Sequence, residues 1–201
     1  MVKTSKELLL GSLREKGFSE SIIGAFEKVK REEFIPENLV PYAYDDVPIP
    51  LGDGSTTSQP YTIAFMLSIL DPKQNYKILE LGSGSGYVLA LISDMIKSGE
   101  IYGIELSKRL AVKSRENLIR NSNIEIFNRS AESGFQEKAP FDRILVSFSC
   151  PDMALPNILI KQLDDPGILV VPIRQSIFQF KKENKKIHSK EFPGFAFVPF
   201  R

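Results

Sequence analysis

The sequence predicts a three-layer α/β fold built on a mostly parallel sheet. Ile78, Leu79 and Leu81 make a short apolar run, the pattern of a buried parallel strand, and it stops at Gly82. Gly82, Gly84 and Gly86 then alternate, so the backbone can turn sharply before a helix opens near Ser85. Further apolar or alternating runs at 100–105, 123–128, 141–147 and 168–173 are separated by helical patterns or turns, the alternation that lays parallel strands between helices.

Taken in order, Ser5 is expected to cap a first helix to about Lys16, with Leu8, Leu9 and Leu13 on one face and Gly17 as its stop. Ser19 opens a second to about Lys30, in which Ile22, Ile23 and Phe26 recur at helical spacing. Both are packing faces. Arg31 to Pro36 and Pro41 to Pro50 are punctuated by proline and read as irregular chain and short strands. Gly52, Asp53 and Gly54 supply a turn, and Ser55 to Ser58 is a hydroxyl cluster. Pro60 stands where a first helical residue belongs, ahead of Ile63, Ala64, Met66, Leu67 and Leu70. From composition alone, Ser58 could be a helix cap and nothing more.

Val88 to Lys97 completes the helix after the glycines, and Ser107 caps another carrying Leu110, Ala111, Ser114 and Leu118. Cys150, beyond the fourth strand, reads as a small buried hydrophobe, although the position also suits a cleft wall. Ile158 to Leu163 is read as a short helix and Pro166–Gly167 as a turn. Lys181 to Lys190 holds five lysines between apolar runs, a solvated hairpin tip, or more weakly a patch for acidic or nucleic-acid partners.

Composition narrows the class. A chain of 201 residues, 42% hydrophobic and without a Pro/Ser-rich linker, is expected to form one domain, with N-terminal helices and a hairpin (1–70) ahead of the core (71–201). Its formal charge of +1 argues against a large nucleic-acid surface. One cysteine and one histidine, His188, allow neither an internal disulfide nor a Cys/His zinc site, and no metal is expected. Met1 to Lys6 lacks the apolar core of a signal peptide and no run approaches a membrane span, so a cytoplasmic monomer is expected.

A glycine turn after a strand can hold the polar part of a nucleotide or nucleoside close to the main chain. Glycines that merely permit tight packing of helix on strand are the plain alternative. Here they alternate without the two-residue gap of the dinucleotide fingerprint, Glu80 stands just ahead, and Glu105 ends the next strand about 20 positions on, where a ribose carboxylate belongs. The pattern favours S-adenosyl-L-methionine (SAM) over NAD.

Ala43 to Tyr61 carries a more specific signal. It supplies Ala43, Tyr44, Asp46, Pro48, Pro50, Gly52, Gly54, Thr56, Ser58, Gln59, Pro60 and Tyr61, and with Leu79 to Tyr87 it resembles the protein-L-isoaspartate O-methyltransferases. Their signature runs Ala-Tyr-x-Asp-x-Pro-Leu-Pro-Ile-Gly, then Gly-Gln-Thr-Ile-Ser-Gln-Pro-Tyr, then Leu-Glu-x-Gly-x-Gly-Ser-Gly-Tyr. The likeness runs from Arg31–Pro36 to Phe197, Val198 and Pro199, nearly the whole chain.

The resemblance implies a Rossmann-like class I methyltransferase fold, with an antiparallel C-terminal hairpin and an N-terminal helical and hairpin extension. It further implies methyl transfer from SAM to isoaspartyl (and D-aspartyl) carboxyl groups of aged proteins, leaving S-adenosyl-L-homocysteine. By that resemblance Ser58 is catalytic, Thr56, Thr57, Gln59 and Pro60 bind substrate, and Glu80, Gly82, Ser83, Gly84, Ser85, Gly86, Glu105, Leu106, Ser130 and Ala131 bind cofactor. Two departures stand out. Ser55 replaces a glutamine, and Ser130 and Ala131 replace an Asp-Gly pair whose carboxylate would face the adenine amino group, costing SAM binding about 1 kcal/mol unless Glu132 compensates. Two alternatives remain at this point: a related enzyme acting on a different modified peptide, and a non-catalytic module that recognises damaged chains.

Overall fold

The computed structural model describes residues 4–200, so Met1 to Lys3 of the N-terminal segment lie outside the described residues. Thr4, rather than Ser5, caps helix α1 (Ser5–Glu15): its hydroxyl accepts from Glu7 N–H while the Glu7 carboxylate reaches back to Thr4 N–H. That register buries Leu9, Leu10 and Leu13 and leaves Leu8 exposed. Ser19 caps α2 (Glu20–Lys28), which buries Ile22, Ile23, Ala25 and Phe26. The proline-punctuated stretch is more regular than its composition suggests, with 3₁₀ turns at Arg31–Phe34 and Glu37–Tyr42. It leads into an antiparallel hairpin of β1 (Ile49–Gly52) and β2 (Ser55–Thr57). Gly52, Asp53 and Gly54 all have positive φ, so the two glycines are where that turn needs them. Pro60 then starts α3 (Pro60–Leu70), whose N-cap is Gln59 with no side-chain bond. Ser58 is therefore not a helix cap.

The main sheet contains β3 (Lys77–Leu81), β4 (Glu100–Glu105), β5 (Ile124–Asn128), β6 (Phe141–Val146), β7 (Leu163–Ile173), β8 (Ser176–Glu183) and β9 (Lys186–Pro193). Its order is β5-β4-β3-β6-β7-β8-β9. The first five strands run parallel and the last two antiparallel, the lysines meeting at the β8–β9 turn. Helices α4 (Tyr87–Ile96), α5 (Lys108–Asn117) and α6 (Ala154–Lys161) make the crossovers. The chain steps outward from β3 to β5, then returns to β6 on the other side of β3. That reversal opens a crevice at the carboxyl ends of β3, β4 and β6.

Alternation along β3 sends Ile78 to a cluster with α1–α4, and Leu79 and Leu81 to a second cluster with Phe141, Ile144, Leu155 and Leu159 on the opposite face. Glu80 therefore points to the α3–α4 side. Two expectations shift. The sixth helix starts at Ala154, with Pro156 tolerated in its first turn, and ends before Leu163. Pro166 and Gly167 sit within β7 as an irregularity, since Leu163 pairs with Phe141 but Ile168 already pairs with Arg143.

Gly86 caps α4 at φ 88°, where a Cβ would stand 2.6 Å from Leu118 Cδ1 and Ser114 Oγ. Gly86→Ala is expected to lower unfolding free energy by about 2–3 kcal/mol through left-handed strain and overpacking. Urea denaturation checks this; an unchanged midpoint would contradict it.

Candidate active site

The glycine turn is tied into the sheet. Gly82 and Ser83 donate to Ile104 O at 2.8 and 3.1 Å, Gly86 donates to Ser83 O, and Gly84 donates to Glu105 Oε2 at 2.8 Å. These four N–H groups are engaged within the protein, although a glycine turn of this kind was expected to hold the polar part of a nucleoside close to the main chain. Recognition at this turn thus falls mainly to side chains. Glu105, at the end of β4, also accepts from Ser107 N at 2.8 Å through Oε1, so both carboxylate oxygens are oriented, each with a lone pair to spare.

A cavity of about 430 Å³, within the range of small-molecule sites, opens beside this carboxylate. Of the residues assigned to the cofactor by resemblance, Glu105, Leu106, Ala131, Gly82 and Gly84 line it. Ser130 does not: its hydroxyl accepts from Glu132 N within its own loop, and Arg129 and Ala131 face the cavity in its place. Sequence reasoning gave no role to Phe148, which lies over Gly82 and stacks on Phe200 at 4.9 Å between ring centres. The C-terminal segment closes the wall, held by Ser149 N to Val198 O (2.8 Å) and Phe200 N to Ser149 O (2.9 Å). Cys150 lies outside this wall, buried, with its thiol pushed up to about 12 by desolvation.

A second, smaller cavity of about 30 Å³ adjoins the first through Thr56, Gly82, Gly84 and Ser147. Thr57, Ser58, Glu80, Ser83 and Ser85 also line it. The Ser58 hydroxyl has no partner among the described residues. Gln59, Pro60 and Gly86 reach neither cavity: they build the start of α3 and the entry to α4.

Glu80 is 1% exposed. Its Oε1 accepts from Ser147 Oγ at 2.6 Å, while Oε2 has no partner. Burial raises its carboxyl from 4.5 to about 8, opposed by the Ser147 hydrogen bond and reinforced by Glu105. Between those two values the folded protein thus holds a proton there that the unfolded chain releases. Stability from this group is full below about pH 4.5 and falls, by up to about 1.4 kcal/mol per pH unit, until about pH 8. Removing the titration with Glu80→Gln is expected to flatten that part of the stability profile, read by denaturant unfolding from pH 5 to 8.5. An equal slope in both proteins would contradict the assignment.

Arg31 was expected only as part of the family pattern, yet it holds the chain on either side of the β1–β2 hairpin. It is fully buried and donates to the carbonyls of Ala43 (3.0 Å), Asp45 (3.3 Å), Val47 (3.3 Å) and Ser58 (2.9 Å). Desolvation lowers its pKa. One side chain thereby fixes the main chain on both sides of the hairpin and at Ser58 itself.

The donors suit the expected cofactor. Buried, unpartnered oxygens of Glu80, Ser83 and Ser85 stand beside the glycine turn, and the oriented Glu105 carboxylate stands beside the larger cavity. A family model described as protein-L-isoaspartate(D-aspartate) O-methyltransferase matches residues 4–201. The chain is 41% identical over 181 residues to the protein-L-isoaspartate O-methyltransferase of Thermosipho melanesiensis, covering 89% of this chain and 90% of that one. To the enzyme of that name from Methanothrix thermoacetophila it is 38% identical, covering 96% and 93%. A solved protein-L-isoaspartate O-methyltransferase superposes with TM-score 0.87 at 27% identity over 98% of this chain, which spans 66% of that longer one. A Plasmodium falciparum structure given the same enzyme name, in complex with S-adenosyl-L-homocysteine, superposes with TM-score 0.85 at 26% identity, covering 100% and 99%. With the family matched across nearly the whole chain, the chain belongs to the SAM-dependent protein-L-isoaspartate O-methyltransferase family.

Proposed function

We propose that this chain methylates the free α-carboxyl group of L-isoaspartyl residues, and of D-aspartyl residues, in aged proteins and peptides, using SAM and releasing S-adenosyl-L-homocysteine. The observation that supports this most is the contiguity of the two cavities, one beside Glu105 and one beside Ser58, joined at Gly82 and Gly84. When bound, SAM supplies an electrophilic methyl group on a cationic sulfur. Glu105 offers its spare lone pairs to the ribose hydroxyls, and Leu106 and Ala131 flank the adenine side.

An α-carboxyl group with pKa about 3.3–3.7 is an anion at neutral pH and needs no general base. The site must align it and strip water from it. Ser58, with a free hydroxyl, donates one hydrogen bond to the carboxylate, and Thr56 and Thr57 border the same space. A neutral donor orients the anion without the hold a cation would exert. Leu51, Ile63 and Met66 supply apolar walls that exclude water. The ester then cyclises as the neighbouring backbone nitrogen expels methanol, and the succinimide opens partly to normal aspartate.

No helix among the described residues is long and apolar enough to cross a membrane. We read the chain as a cytoplasmic, single-domain monomer that binds damaged chains, and its charge of +1 argues against a large nucleic-acid surface. The test is to follow an isoaspartyl peptide with enzyme and SAM by chromatography. Progressive appearance of the aspartyl form is expected; a stable isoaspartyl content would contradict the repair reading.

A further inference from the structure

The tip of the β1–β2 hairpin is built from permissive backbone. Gly52, Asp53 and Gly54 follow one another at φ 87°, 52° and 66°, and a glycine on either side of Asp53 leaves the tip little stiffness of its own. Side chains fix it instead. Asp53 Oδ2 accepts from Ser107 Oγ at 2.7 Å and from Arg109 Nε at 3.0 Å, and Arg109 Nη2 donates to Leu51 O at 2.6 Å. The guanidinium lies so close to Gly52 that a Cβ there would stand 2.6 Å from Nη2. Ile49 and Leu51 also pack with Leu110 of α5, in a small apolar cluster separate from the two main ones.

This clasp joins the walls of both cavities. Asp53 and Thr56 line the larger one from the hairpin, and Glu105 and Ser107 line it from the end of β4. Thr56, with Thr57 and Ser58 just beyond it, also borders the smaller one. Ser107 is the link between the two sides. Its hydroxyl donates to Asp53 while accepting from Leu110 N, and its own N–H donates to Glu105 Oε1. A hydrogen-bonded path thus runs from the hairpin tip through Ser107 to the Glu105 carboxylate, whose other oxygen is held by Gly84 N. Ser107 and Arg109 hold the Asp53 carboxyl below its ordinary value, so it stays an anion at neutral pH.

We propose that Asp53 is a positioning residue for methyl transfer: clasped by Ser107 and Arg109, it sets the hairpin that leads to Ser58 against the loop that orients Glu105. It acts through Ser107 and the hairpin backbone, not on the reacting atoms. An ion pair as exposed as Asp53–Arg109 adds little to folding, so its effect lies in where it places the hairpin. The peptide half of the proposal rests on the proposed isoaspartyl function; the SAM half does not.

Asp53→Ala is expected to raise KM for SAM and KM for an isoaspartyl peptide about tenfold each while changing kcat less than about threefold. The urea midpoint should stay at the wild-type value. Asp53→Asn, whose side-chain carbonyl can still accept from Ser107 and Arg109, should recover most of the loss. Combining Asp53→Ala with Arg109→Ala should cost less than the product of the two single effects, because both break one clasp. Equilibrium binding of SAM without peptide keeps the two halves apart. An Asp53→Ala variant that binds SAM as tightly as the wild type, losses that follow a lowered urea midpoint, or an Asn variant no better than the Ala variant would overturn the positioning role while leaving the proposed function standing. A wild type that binds SAM but leaves the isoaspartyl peptide unmethylated would overturn the proposed function, and the SAM affinities of the variants would still decide on Asp53.

Discussion

Arg31→Ala is expected to destabilise the protein by about 3–5 kcal/mol, the largest stability loss the structure points to. The guanidinium satisfies carbonyls at Ala43, Asp45, Val47 and Ser58, and truncation strands all four in a site from which the wild-type side chain excludes water. Arg31→Lys should recover little. A single ammonium cannot span carbonyls that the planar fork reaches in two directions, so charge alone does not replace geometry. Urea unfolding of both variants reads this directly. A Lys variant with the wild-type midpoint would show that the four contacts carry little energy.

Ser58→Ala is expected to lower kcat about 100-fold while changing SAM affinity by no more than about twofold. Ser58 borders the small cavity but not the larger one beside Glu105, so its loss touches carboxylate alignment and spares the nucleoside contacts. Steady-state kinetics on an isoaspartyl peptide, beside equilibrium binding of SAM, separates the two effects. Comparable loss of both would mean that Ser58 supports the fold of the hairpin, not the reaction.

The parts of this protein that could be read from the chain are those in which cause and effect lie close together. The strand at Lys77–Leu81, the alternating glycines and the acid that ends the next strand announce themselves by local pattern, and the structure brings them to one crevice. The hairpin turn at Gly52–Gly54 was legible for the same reason. Arg31 was not, because its acceptors lie 12 to 27 residues away and nothing local marks them.

Ser130 misled for a related reason. The resemblance to the family placed it toward adenine, but the loop's own geometry turns its hydroxyl to Glu132 N–H and gives the wall to Ala131. Phe148 and Phe200, which stack in the cavity wall, are 52 residues apart and had no periodicity to reveal them. The neutral state of Glu80 depends on burial by α3 and α4, which a sequence position does not express. Caps moved by a single residue, as at Thr4, because Ser and Thr are nearly equal as caps and the reciprocal bond from Glu7 decided between them.

The most direct test of the whole account is transfer of labelled methyl from SAM to a short isoaspartyl peptide beside its aspartyl twin. The account predicts base-labile methyl ester on the isoaspartyl peptide alone. Equal labelling of the twin, or no labelling of either while SAM binds normally, would contradict it.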